Sequence, residues 1–510
     1  MSKVTEIRDP KTLQEVASHL ENTVVRQHKE IARLRSENAR LRGQDVSPQM
    51  ELSLLKEQLE AMKRSMFGTS SERRPEDSSN GDQEKGTNEK KPKSGHGPRS
   101  QPDLPIEKVV HTLALDERTC SFCGGEVEEM GEQHEESEEI TVISLEYKIL
   151  HHCRQKYRCS CNAQVVTAPG PVKLTPGGRY SIDFAAQVTE NKYLDHLPLE
   201  SQVRAMARDG LVIDSQTLWD QIERLAQHLQ PTYEALLRKA FDAGVIYADE
   251  TRWQMMMKNN SCRWWTWCVA TDKIATYRIF SNRSQKAAAK MLGEYGRVAM
   301  TDGYATYDAL VKNGIANPSL TIAHCWAHVR RKFIEAEDAY PELSKPAVSM
   351  IRDLYRIEKK IPRITTDMPE NERKKLLELR HKIRQQESRP KIDEIRKWAF
   401  EHLPNTLPKS KMGKALNYML KLWSGLTVFL DNPEVPLDNN AAERALRGVV
   451  VGRKNHYGSR SKRGTEVAAL FYTMMETAKL SGIDARTYLR QAATRAIKKP
   501  GAVTLPSDLT

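Results

Sequence analysis

A chain of 510 residues is too long for one compact core; at the usual ~100–200 residues per domain it implies about three or four domains. Its 79 Lys and Arg against 67 Asp and Glu leave a net charge of +12, which favours a polyanionic partner, nucleic acid being the commonest. No stretch approaches the ~18 consecutive apolar residues of a membrane span, and the opening MSKVTEIRDP lacks the apolar core of a secretory signal, so a cytoplasmic chain without membrane contact is expected.

Residues 1–67 read as a coiled-coil oligomerisation region. Leu20, Val24, Ile31, Leu34, Asn38 and Leu41 fit alternating a and d positions of a heptad, with Gln27 as a polar d. The register continues through Leu52, Leu55, Leu59, Met62 and Met66, with a break at Asp45 and Pro48. A lone Asn at an a position, here Asn38, is a device that fixes register and strand number, so a homo-oligomer, most simply a dimer, is expected. Residues 68–105 are Ser, Gly, Pro, Lys, Glu and Asp with almost no apolar side chain. They cannot bury enough surface to offset ordering entropy and read as a disordered linker.

Residues 106–175 read as a zinc-binding module. Eight cysteines are too sparse for a disulfide scaffold, and clustered ones in a reducing compartment point to metal. Cys120 and Cys123 form a CSFC knuckle followed by Gly124 and Gly125, and Cys159 and Cys161 in RCSCN supply the partner pair. Four thiolates suit a closed, structural Zn2+ site. The one-residue spacing of the second pair leaves Cys153 and His152 in competition for one ligand position. Residues 176–235 read as a helix-turn-helix-like DNA-binding region: two short helical patterns, Gly210, then a third helix capped by Asp214 or Ser215. Its polar face would present Gln216, Thr217, Gln221 and Arg224. A helical packing module without DNA contact fits the same pattern.

Residues 236–340 and 436–510 read as the two parts of an RNase H-like catalytic core. GVIYADET is an apolar strand carrying Asp249 near its end. RWWTWCVAT and IATYRIF, joined at Asp272 and Lys273, suit antiparallel hairpins. A helix, SQKAAAKMLGEY, precedes a strand in RVAMTDGYATY that ends at Asp302; the strand SLTIAHC and the helix WAHVRRKFIEAEDAY complete the order. Residues 341–435 are charged, helix-rich and without strand signal, a helical insertion. The third acid then comes from PLDNNAAERALRGVV, a helix capped by Asp438 or Asn439, with Asn440, Glu443, Arg444 and Arg447 on one face.

Asp249, Asp302 and Glu443 suit two Mg2+ or Mn2+ ions, which take hard oxygen ligands and clamp both the attacking and the leaving oxygen of a phosphodiester. Asp249 would bridge the ions while Asp302 and Glu443 each hold one. A basic run follows Glu443: Arg444, Arg447, Arg453, Lys454, Arg460, Lys462 and Arg463, suited to DNA phosphates. HCWAH adds His324, Cys325 and His328; Cys325 and His328, nearly one helical turn apart, could bind a metal, but two ligands are not a site, and the group suggests packing of the insertion or DNA contact.

Taken together, MFGTSSER, CSFCGGE with RCSC, PGGRYSIDFAAQV, KYLDHLPL, QTLWDQ, YADET, TDGYATY, HCWAHVRRKF and LDNNAAERALRGVVVGRKN resemble, in order, the DDE transposases of the insertion-sequence 66 family, specifically the large catalytic protein of those elements. The resemblance implies a multidomain α+β protein with Asp249, Asp302 and Glu443 as catalytic triad. It also implies a zinc-binding region, binding of the element's terminal inverted repeats and of target DNA, accessory proteins from the same element, and a place at the bacterial nucleoid. Two other readings use the same scaffold: a non-catalytic DNA-binding regulator, and a nuclease without strand transfer.

Overall fold

The computed structural model describes residues 146–158, 165–256, 261–365 and 367–509, together with Leu55. The heptads, the linker, and Cys120, Cys123, Cys159 and Cys161 lie outside the described residues, Leu55 and the backbone flanking the last two cysteines excepted. Everything below belongs to the unit that contains Tyr147–Thr510.

Two short antiparallel strands, β1 (Lys156–Arg158) and β2 (Val165–Thr167), precede three helices, α1 (Ile182–Tyr193), α2 (Leu199–Arg208) and α3 (Ser215–Lys239). Asp214 caps α3 by accepting from the Thr217 N–H at 2.7 Å, and Gly210 takes φ 81° in the preceding turn. The central sheet follows: β3 (Val245–Met256), β4 (Ser261–Ala270), β5 (Ala275–Phe280), helix α4 (Gln285–Leu292), β6 (Val298–Thr301), α5 (Ala305–Lys312), β7 (Thr321–His324) and α6 (Trp326–Ala336). This is the order expected from the sequence. The spatial order is β5-β4-β3-β6-β7, antiparallel among the first three strands and parallel from β3 onward.

Residues 341–435 are helical as expected: α7 (Pro341–Glu358), α8 (Glu370–Ile383), a π-turn at Arg384–Ser388, α9 (Arg389–His402), α10 (Lys411–Lys421) and α11 (Trp423–Asp431). The chain then returns through α12 (Asn440–His456), α13 (Lys462–Leu480) and α14 (Ala485–Lys498). No helix among the described residues is long and apolar enough to cross a membrane.

Strand alternation explains how the layers meet. Ile246, Ala248, Trp267, Val269 and Ala299 face α4 and α5, packing on Ala288, Tyr307 and Leu310. The opposite face is shared. Cys268, Ala270 and Tyr277 pack on α12–α14 and on α1 and α3, whereas Val298, Met300 and Ala323 pack on α6, α7 and α9–α11. Thus α1–α3 are built into one core with the C-terminal helices. The outer edge of β5 is covered as well, because the Ala275 and Tyr277 N–H groups donate to Thr477 and Thr473 of α13 at 3.2 and 3.0 Å. An edge so occupied cannot recruit a foreign strand.

Candidate active site

β3 is longer than its sequence pattern suggested, so Asp249 sits in its middle rather than near its end. It is nevertheless at an opening. The parallel pairing of β3 with β6 stops at Tyr247↔Met300, two residues before Asp249, while Asp249 pairs with Cys268 on the β4 side. Tyr247 touches both cores on the shared face, and Asp249, two residues on, emerges at the seam between them.

Asp302 directly follows β6. Its Oδ1 accepts from the Tyr304 N–H at 2.9 Å, and its carbonyl accepts from the Tyr418 hydroxyl of α10. Gly303 turns the chain with φ 86°, and a Cβ there would overlap Leu422 and the Tyr418 hydroxyl. The positive φ favours glycine there, and any larger residue would also have to displace those two side chains.

Glu443 is held near the acidic cluster through a lock at the start of α12. The Leu437 carbonyl accepts from the Trp326 N–H at 2.9 Å, and the fully buried Asn439 donates its own N–H to Cys325 Sγ at 3.2 Å. Asn439 Nδ2 donates to the Ala248 carbonyl at 3.0 Å. Asn439 thus occupies the N-cap position without capping by its side chain, which is spent across the sheet; Asp438 Oδ1 accepts from the Asn440 N–H at 3.2 Å instead. Glu443 Oε1 lies 3.5 Å from both His328 Nε2 and Arg331 Nη2 of α6 and has no hydrogen-bond partner.

Asp249, Glu250 and Asp302 each offer a carboxylate oxygen within 4.8 Å of the others. Burial pushes the Asp249 carboxyl up to about 8, and the charges of Asp302, Glu250 and Glu443 add to it. Like charges crowded in a seam, with hard oxygen donors, fit a divalent cation, which would offset their repulsion. Glu443 is outside the tight triplet but near enough for its charge to act on Asp249.

Glu250 is the member that the sequence did not single out. Alternation turns it to the α4–α5 face, where a buried carboxylate needs partners. Arg283 donates from Nε at 2.7 Å and from Nη2, and Tyr307 donates its hydroxyl at 2.6 Å. The Arg283 guanidinium lies over the rings of Tyr304, at 3.5 Å, and Trp265, at 4.8 Å. The signal was in YADET, where Asp and Glu adjoin on a strand, but nothing local named the partners.

HCWAH resolves into three tasks. His324 bridges Thr301 Oγ1 at 3.2 Å and Asp308 at 3.1 Å, with Gly425 of α11 packed against its ring. Cys325 is buried, and burial pushes its thiol up to about 11, so it serves packing and accepts from Asn439. His328 faces Glu443; burial holds its imidazole below the usual histidine range, Arg331 adds to this, and Asp302 and Glu443 oppose it.

The basic run divides in the same way. Arg444, Arg447, Lys454, Arg460 and Lys462 are exposed. Arg453 is tied to Thr251 Oγ1 at 2.9 Å, and Arg463 to Glu223 at 3.2 Å and Glu466 at 3.3 Å. On α3, Gln216 and Arg224 are exposed, Gln221 is half-buried, and Thr217 is engaged with its cap Asp214. Of the cysteines and histidine weighed for zinc, Cys153 and His152 are described and exposed.

These features define an α+β protein whose mixed sheet carries an acidic cluster able to hold a metal ion. The family model described as Transposase IS66 family matches residues 177–467, and the chain belongs to that family. Three similar relatives come from Sinorhizobium fredii (strain NBRC 101917 / NGR234). The uncharacterized protein y4jD is 28% identical over 77% of each chain. The uncharacterized proteins y4hP and y4qI are 28% and 25% identical, over 78% and 79% of this chain and 73% and 75% of theirs.

Proposed function

We propose that this protein is a DDE transposase that binds the ends of its insertion sequence, cuts a DNA strand there and joins it to target DNA, with Asp249, Asp302 and Glu443 as the catalytic acids. The observation that supports this reading is the acidic cluster that contains Asp249 and Asp302, with Glu443 near enough for its charge to act on Asp249. Asp249 and Asp302 come from β3 and the end of its neighbour β6, and Glu443 comes from a helix locked to β3 by Asn439.

Two divalent ions, Mg2+ or Mn2+, would activate the attacking oxygen and stabilise the leaving one. Asp249, Asp302 and Glu443 would hold them. In the first step a water oxygen attacks the scissile phosphorus, the bond to the 3′ oxygen breaks, and that oxygen leaves as a 3′-hydroxyl once protonated. In the second, this hydroxyl attacks a target phosphorus and displaces the target's own 3′ oxygen. Arg444, Arg447, Lys454, Arg460 and Lys462 would hold backbone phosphates beside the cleft, and Gln216 and Arg224 would face DNA from α3. We assign residues 1–67 to dimerisation, 68–105 to a linker, and 106–175 to a structural zinc held by Cys120, Cys123, Cys159 and Cys161. Accessory proteins of the element complete the machine.

The test is incubation of the full chain with DNA bearing the element's ends, Mg2+ and a supercoiled plasmid, followed by sequencing of junctions. Precise joining of the 3′ ends to plasmid DNA is expected. Nicking without joined products would reduce the protein to a nuclease, and DNA binding without either would make it a regulator.

A further inference from the structure

α12 ends in a turn whose backbone is held tightly while its one large side chain points away from the fold. Tyr457, the C-cap residue, takes φ 57° and ψ 22°, the left-handed region that disfavours a side chain. Gly458 follows with φ 88°, and a Cβ there would overlap the Gln254 carbonyl of β3. Ser459 is then bonded to β3 on three sides. Its carbonyl accepts from the Met256 N–H at 2.8 Å, its N–H donates to the Gln254 carbonyl at 3.0 Å, and its Oγ accepts from Trp253 Nε1 at 3.3 Å. None of this anchoring uses the Tyr457 ring, which is 69% exposed. Strained backbone that presents an unused aromatic side chain is a reason to look for a ligand.

The surroundings specify the ligand. Arg444, Arg447, Val451 and Lys454 are all exposed and, at spacings of three, four and three, share one face of α12. This stripe starts beside Glu443 and leads to Tyr457, with Arg460 and Lys462 exposed just beyond the turn. From Glu443 to Tyr457 the helix advances about 20 Å at 1.5 Å per residue. A DNA strand rises ~3.4 Å per nucleotide, so the same span is about six nucleotides.

We infer that Tyr457 is a base-stacking residue: the cut DNA strand follows the basic stripe of α12, and an unstacked nucleobase about six nucleotides from the scissile phosphate lies on its ring. This rests on the transposase reading given above. Lys and Arg answer the phosphates, while an aromatic face answers a nucleobase of any identity. The fixed turn lowers the cost of ordering the ring on binding.

The experiment uses the full chain and an element-end DNA with 2-aminopurine placed singly four to eight nucleotides from the cut. Wild type is expected to change the fluorescence at one position, and Tyr457→Ala to abolish that change while leaving the other positions alone. Tyr457→Ala should bind the end about 5- to 100-fold more weakly with an unchanged salt slope, because no phosphate contact is lost. Tyr457→Phe and Tyr457→Trp should restore both readouts. Tyr457→Gly should melt no lower than wild type, since glycine takes this φ without strain, yet bind as weakly as the Ala variant. Unaltered binding and fluorescence with Tyr457→Ala, where wild type binds the end, would overturn the stacking assignment alone. A change in sedimentation without any probe change would overturn it in favour of a contact between copies. A wild-type protein that fails to bind the end at all would overturn the transposase reading, and this assignment with it.

Discussion

Asn439 Nδ2 bonds to the Ala248 carbonyl at 3.0 Å, one residue before Asp249 and four before Glu443. This amide ties the strand of Asp249 directly to the helix of Glu443, two of the three acids proposed above. Asn439→Ala should leave the Ala248 carbonyl buried without its partner, at a cost of about 1–3 kcal/mol. Cleavage is expected to fall by more than end binding does. Calorimetry beside a cleavage assay checks this; unchanged melting and unchanged cleavage would show that α12 is placed by other contacts.

The Asp249 carboxyl gives a pH signature. Its folded value, pushed up to about 8, lies far above the ordinary 3.8. Between those values the folded protein holds a proton that the unfolded chain releases, so the metal-free protein loses stability as pH rises from about 4 to about 8. Asp249→Asn removes that loss. Melting of the two metal-free proteins should therefore diverge across this window, with the variant higher at pH 8.5 by roughly 5 °C. Parallel melting curves from pH 4 to 8.5 would contradict the placement of Asp249 in a crowded acidic seam.

His328 touches Glu443 at 3.5 Å from a helix that carries none of the three proposed acids. A group behind a metal ligand commonly changes metal affinity or activity by about 10–100-fold when removed. His328→Ala should raise the Mn2+ concentration for half-saturation, measured by calorimetry, by a factor in that range, and His328→Gln should recover part of it by keeping a donor near the Nε2 position. End binding should not move. Identical Mn2+ titrations for wild type and His328→Ala would remove His328 from any role at the site.

Much of the layout was legible because it is written in local patterns. The apolar strand before Asp302, the Asp214 cap and the strandless stretch between α6 and α12 all follow from residues within a few positions of each other. What the sequence left open depends on distant partners. The sequence left Asp438 and Asn439 as alternative caps; Asp438 accepts from the Asn440 N–H, whereas the Asn439 side chain finds its partner 191 residues away in β3. Glu250 was not singled out, because the partners that decide its role, Arg283 and Tyr307, lie 33 and 57 residues on. The shared core of α1–α3 with α13 and α14 is likewise invisible to periodicity, which shows that a face is buried but not against what.

The structure sets Glu443 and Glu250 in competition as the third acid, so the most direct measurement compares their glutamine variants. Each is assayed for Mn2+ binding by calorimetry and for end binding and cleavage on the same DNA. Glu443→Gln should keep end binding and melting and lose cleavage by about 10²–10³, with weakened Mn2+ binding. Glu250→Gln should lower melting, since it disturbs the pairing with Arg283 and Tyr307, while retaining measurable cleavage. Near-normal cleavage by Glu443→Gln, together with loss of Mn2+ binding in a folded Glu250→Gln, would contradict the triad of Asp249, Asp302 and Glu443.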